Sequence, residues 1–268
     1  RQISHAVAIA AVQPTGLSHP VKWNPTGKRV HVGVAAMNGL NSAVWAGAGF
    51  QGSENILDAE DGWIRAVAGS AEPERSCFQS LGQHWEMANI GIKPCIGVRP
   101  ANGIMIKFHR LLEEGTVRRE DIKRITLRVT PYVAGSFSNG SPASAGQALL
   151  SVPYLIGLVG FHGMPWPEHF GRDWKPEPEI LQWTQEKMEI VPDEQLAGVS
   201  RYAVKMILQM ADGREISVLS EYPPGDAEEP LAPAELKTKI SRLTRMEPKE
   251  TDAFYDLVSA LEEKGNAE

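Results

Sequence analysis

Hydrophobic residues near the start of the chain fall at Ile3, Ala6, Val7, Ile9 and Ala10, the spacing of one helix face, and Pro14 and Gly16 close the run. A second helical run, from about Val30 to Ala46, is built from small residues: Gly33, Ala35, Ala36, Gly39, Ala43, Ala46 and Gly47. Each glycine in a helix interior costs about 1 kcal/mol relative to alanine. Close approach of neighbouring helices, or of a ligand, to the backbone is the usual compensating reason. Ser53 to Ile64 reads as a short capped helix with a turn at Asp61-Gly62. No period-2 strand is visible before Lys93.

After Lys93 the period changes. Ile104, Met105, Phe108, Leu111 and Leu112 predict a helix over 100–114, with Gly115 as its stop. Ile125, Leu127 and Val129 alternate with Thr126, Arg128 and Thr130, which predicts a half-buried strand within 121–133. A Ser/Gly/Asn/Pro loop follows over 135–146, then an apolar helix over 148–163 interrupted by Pro153, a Pro- and Trp-rich loop over 164–178, and a helix over 180–188. Val204, Met206, Leu208 and Met210 alternate with polar residues, Asp212-Gly213 turns the chain, and Ile216 and Val218 alternate again. Asp-Gly between two such runs is a strong hairpin signal. A linker over 223–233 carries an acidic cluster at Asp226, Glu228 and Glu229, and two amphipathic helices follow over 234–243 and 251–263. The expectation is an α+β protein: a helical part over 1–90, an α+β part with an antiparallel sheet over 91–225, and a helical end over 226–268.

Composition narrows the function classes. The chain has 268 residues, of which 42% are hydrophobic and 22% charged, the balance of a soluble globular protein. Its 27 basic and 33 acidic residues give a net charge of −6 without long like-charge runs, so no nucleic-acid footprint is visible. The longest apolar stretch, Leu149 to Phe161, is too short to span a membrane. Arg1-Gln-Ile-Ser4 opens no signal-peptide pattern. Cys77 and Cys95 lack metal-ligand spacing and read as reduced thiols, which fits a cytoplasmic location. Gly33, Gly39, Gly47 and Gly49 follow no strand, so a dinucleotide fold is unsupported; no Gly-x-Ser-x-Gly elbow or His/Cys metal cluster is present.

The ionisable residues that can carry chemistry are few. Lys28 precedes the small-residue helix and is either an anion-binding device or a solvated surface lysine. His31 either is a proton-shuttle candidate, as an imidazole, or packs at the helix start. Lys93 is held extended by Pro94 where helical and strand-bearing parts meet, and such junctions favour ligand sites. Arg99 can contact a carboxylate in bidentate fashion or simply begin a helix. Tyr132 and Tyr154 can donate hydrogen bonds or serve the core. Two lysines and an arginine suit a substrate with two or three carboxylates, whose adjacent C–H bond is acidic and whose carbanionic intermediate nearby cations stabilise.

Lys28-Arg-Val-His-Val-Gly-Val-Ala-Ala-Met-Asn-Gly39, with Gly49-Phe-Gln-Gly52 and Ile56-Leu-Asp-Ala-Glu-Asp-Gly62, resembles the central signature of the MmgE/PrpD family. The likeness continues through Ile92-Lys-Pro-Cys95, Asp121-Ile-Lys-Arg-Ile-Thr126, Ser151-Val-Pro-Tyr154, Asp212-Gly-Arg214, Tyr222-Pro-Pro-Gly225 and Leu231 to Lys237. That family includes 2-methylcitrate dehydratases, cis-aconitate decarboxylases and iminodisuccinate epimerases. The resemblance implies a helical domain with an inserted α+β lid, no metal or organic cofactor, and a homodimer. It makes Lys28 and Lys93 active-site cations and adds His31, Arg99, Asn102 and Tyr132 as substrate-binding candidates.

Asn102 stands where the family commonly has a histidine, and Val98 where decarboxylase-like members have one, so decarboxylation is the less favoured step. The chain reads as the family's C-terminal portion. On that reading it is a dehydratase-type lyase acting on a small polycarboxylate, with acid and base residues from a missing N-terminal part or a partner subunit in a homo- or hetero-oligomer. The alternatives are a non-catalytic or regulatory subunit, a related epimerase, or a carboxylate-binding module. The small-residue helix also leads us to expect exposed apolar surface.

Overall fold

A computed structural model describes residues 1–13, 16, 25–68 and 79–261; side chains of residues 25, 26, 28 and 29 lie outside the description. The chain forms two compact units, Arg1–Glu86 and Met87–Glu268.

The first unit contains helices α1 (Gln2–Ala11), α2 (Pro25–Gly47) and α3 (Trp63–Ala68). Packing of α1 on α2 is polar at its centre. Gln13 Nε2 donates to Ile9 O at 2.9 Å and to Ser42 Oγ at 3.1 Å, Ser42 donates to Asn38 O at 2.7 Å, and Asn38 Nδ2 donates to Gln13 O at 3.3 Å. A Cβ at Gly52 would stand 2.5 Å from that of Ala8, while the His5 ring meets Gly52 O at 3.2 Å, so the chain after α2 lies directly against α1.

Two expectations are corrected here. A Cβ at Gly33, Gly39 or Gly47 would meet nothing, so these glycines do not mediate close helix packing within this unit. Residues 54–62 form turns, and the helix starts only at Trp63. Gly62 N–H bonds to Ala59 O at 2.8 Å and Trp63 N–H to Ile56 O at 2.7 Å, which folds the segment back on itself.

The second unit is built on a four-stranded sheet of β1 (Ile122–Val129), β2 (Met188–Pro192), β3 (Val204–Met210) and β4 (Glu215–Ser220), in the order β2-β1-β3-β4. β1 pairs parallel with β2 and antiparallel with β3, and β3 pairs antiparallel with β4. The sheet is therefore mixed, which corrects the antiparallel expectation. Around it stand α4 (Arg99–Glu113), α5 (Pro131–Phe137), α6 (Ala145–Leu149), α7 (Val152–His162), α8 (Pro178–Lys187), α9 (Glu194–Ala197), α10 (Pro233–Thr244) and α11 (Pro248–Ser259).

The predicted alternation of β1 is observed, with Ile125, Leu127 and Val129 buried in one core cluster with Ile104, Met105 and Phe108 of α4 and Leu155, Ile156 and Val159 of α7. Burying each such side chain is worth roughly 1.5–3 kcal/mol, and Met206 and Leu208 on β3 complete the layer. The predicted hairpin is β3–β4, turning at Gly213 with φ +88°.

Three boundaries differ from expectation. β1 stops at Val129 because Thr130 caps α5, accepting from Val133 N–H at 3.3 Å, and Pro131 fits the first helical turn. Pro153 does not interrupt a helix but lies in the first turn of α7, behind the Ser151 cap. The stretch read as the end of a helix at 188 instead begins β2.

Candidate functional site

Residues 91–102 gather three of the predicted site residues. Lys93 is exposed, and its Nζ donates to Gly97 O at 2.8 Å. Gly97 has φ +110°, which strains any side chain, and a Cβ there would press on Leu155 Cδ1 at 3.0 Å. Between them Cys95 is 5% exposed and accepts from Asn102 Nδ2 at 3.2 Å.

Burial pushes the Cys95 thiol up to about 12, although Lys93, the Asn102 hydrogen bond and Lys239 of α10 all pull it down. The sulfur is therefore a protonated thiol at neutral pH, in a field of positive charge. Asn102, in the first turn of α4, is fully buried, and its Oδ1 has no hydrogen-bond partner among the described residues.

Arg99 opens α4. Its Nη1 donates to Asp226 Oδ1 at 2.5 Å and its Nη2 to Gly91 O at 3.2 Å. Ile92 N–H donates to Gly225 O at 2.7 Å. Burial pushes the Asp226 carboxyl up, more than Arg99 draws it down, and Glu228 adds to the rise. Arg99 is thus engaged with protein groups rather than presented alone.

Tyr132 sits in the first turn of α5, not on a strand. Its ring lies 3.9 Å under the Arg201 guanidinium, with Phe137 at 5.6 Å and Tyr202 at 6.2 Å between centroids. Tyr154 is buried in the core beside Trp174, with Glu177 N–H donating to its hydroxyl at 3.4 Å. His31 belongs to the first unit, half-buried on α2, where a Cβ at Gly16 would lie 3.5 Å from its Nδ1. Lys28 is on the first turns of α2 and its side chain lies outside the described residues, as does Cys77.

Sequence reading missed Asp226 and Lys239. Asp226 was visible only as part of an acidic linker, and its partner lies 127 residues away. Cavities of about 360 Å³, lined by residues including Val7, Asn38 and Trp63, and about 260 Å³, lined by residues including Pro153, Thr184 and Met188, each lie within one unit. Among the described residues no group of three or more His, Cys, Asp or Glu is placed to hold a metal ion, and no helix is long and apolar enough to cross a membrane.

Residues 1–76 match the model of the MmgE/PrpD N-terminal domain and residues 98–263 that of the MmgE/PrpD C-terminal domain. The chain belongs to the MmgE/PrpD family. The first match corrects the reading of the chain as the C-terminal portion alone. No curated protein matches the chain.

Proposed function

We propose that the chain is a dehydratase-type lyase acting on a small di- or tricarboxylate, 2-methylcitrate being the reference substrate. A base removes the proton from the carbon next to a carboxylate. The C–H electron pair becomes the new C=C bond as the adjacent C–O bond breaks, and the departing hydroxyl takes a proton from an acid and leaves as water. Negative charge builds on the carboxylate oxygens during the first step, and fixed cations lower that barrier.

The observation that carries the reading is Lys93. Lys93 is an exposed residue whose ammonium is tethered to Gly97 O at 2.8 Å, in a segment that bears two tightly packed glycines and a buried thiol–amide pair. A positioned ammonium suits a carboxylate. Lys28 and His31, both on α2 of the first unit, are the further candidates for carboxylate binding and proton transfer. Further acid and base groups would come from a partner subunit. Asn102 would contribute through its hydrogen bond to Cys95, and Arg99 through its tie to Asp226.

The test is turnover of 2-methylcitrate, followed by ultraviolet absorbance of the conjugated alkene. Lys93→Ala should lower kcat/KM by about a hundredfold, the scale of losing one preorganised charge-stabilising donor. Unchanged turnover in Lys93→Ala and Lys28→Ala would overturn the reading.

A further inference from the structure

We propose that Arg99, Asp226 and the Ile92–Gly225 backbone contact form a clasp that sets the position of Lys93, and that Asp226 is a positioning residue for that ammonium. The inference takes its ligand from the reading above, but its geometry is independent of it.

Lys93 follows directly on two fastened residues. Gly91 O accepts from Arg99 Nη2 at 3.2 Å, and Ile92 N–H donates to Gly225 O at 2.7 Å. On the other side, Lys93 reaches its own chain at Gly97 O. Arg99 is fixed by its place at the start of α4. Asp226 is fixed by a tight turn, in which Asp226 N–H donates to Pro223 O at 3.1 Å, Glu229 N–H to Asp226 O at 3.1 Å and Gly225 N–H to Glu229 O at 2.6 Å. The closure leaves no room for side chains. A Cβ at Gly91 would fall on the Asp226 carboxylate and within 2.9 Å of the Arg99 guanidinium, and one at Gly225 would fall on the Ile92 carbonyl.

A lysine side chain carries about 2 kcal/mol of rotamer entropy. Holding its backbone and tying its tip to Gly97 O reduces the freedom that must be lost when an anion binds. The ion pair is mostly shielded from solvent, with 31% and 16% of the two side chains exposed. A shielded pair of this kind fixes geometry more dependably than it adds stability.

The experiment measures two rates on the full chain in wild type, Asp226→Asn and Asp226→Ala: hydrogen exchange of the Ile92 amide, and pulsed acetylation of Lys93 quantified by peptide mass spectrometry against the exposed Lys123. Citrate affinity by calorimetry is the third readout. Asp226→Ala should speed both rates about tenfold, as expected when one local contact is opened without global unfolding. It should also weaken citrate binding, with Asp226→Asn, which keeps an acceptor, in between. If Asp226→Ala does not fold, the Asn variant carries the same readouts.

Rates within about twofold of wild type would overturn the clasp. So would a citrate affinity that falls in Lys93→Ala but not in the Asp226 variants, and in that case the polycarboxylate reading stands. If the wild type binds no citrate while the Asp226 variants still change both rates, the clasp stands and the polycarboxylate reading falls.

Discussion

The Cys95 sulfur lies in the field of Lys93 and Lys239, yet burial dominates and holds it as a thiol, up at about 12. Thiolate is the reactive form. Cys95 should therefore alkylate with iodoacetamide at least about a hundredfold more slowly in the folded chain at pH 8 than after denaturation. Folded and denatured rates that agree within a few-fold would contradict its burial. Gly225 is a second residue set by its surroundings, because φ is +91° and a Cβ would occupy the Ile92 carbonyl. Gly225→Ala should lower unfolding free energy by about 2 kcal/mol or more, read from the urea midpoint.

Asp226 gives a pH prediction with a definite sign. Its carboxyl lies above the ordinary 3.8, so the folded chain holds that proton more tightly than the unfolded chain. The associated stability is present below the ordinary value and is lost as pH rises through the raised one. Asn mimics the protonated form throughout. The stability of Asp226→Asn relative to wild type should therefore increase between pH 3.5 and neutrality, as followed by urea denaturation. A difference that stays flat, or runs the other way, would contradict the shift.

Elements with a strong local period were legible in the sequence and those made by long-range pairing were not. α4, β1 and the β3–β4 hairpin each repeat apolar residues at a clear interval, and all three are present. β2 is five residues long, ends at Pro192 and has no fully buried position, so its Met188 and Ile190 left no alternation to read beside α8. Its parallel pairing with β1 depends on a crossover that passes through α5 to α8. Lys93 was visible because Lys-Pro is a local feature, whereas Asp226 takes its meaning from Arg99, 127 residues away. Gly103 marks the α4 contact most sensitive to size: a Cβ there would collide with Ser220 Oγ and come within 3.0 Å of Pro224 Cδ. Gly103→Ala should destabilise the second unit by about 1–3 kcal/mol by overpacking, seen as a lower thermal midpoint.

At the scale of the molecule, α2 reverses the usual arrangement. Asn38 and Ser42 face α1, whereas Val32, Met37 and Leu40 are 70%, 54% and 68% exposed. Soluble monomers seldom leave contiguous apolar patches of this kind open. The chain should bind an apolar fluorescent dye more strongly than a compact monomer of its size, and binding no higher than that would contradict the exposed face. This surface was anticipated from the small-residue composition, but not the polar contact on its other side, because Gly and Ala mark a helix without saying which way it faces.

Recognition of a small polycarboxylate through the Lys93 ammonium is what we propose for this chain. The most direct measurement is calorimetric titration of the full chain with citrate, for wild type and Lys93→Ala at neutral pH. Binding should weaken by about tenfold or more, the scale of one charge-assisted contact of about 1.5–3 kcal/mol. An affinity for citrate that is the same with and without the Lys93 ammonium would rule that contact out.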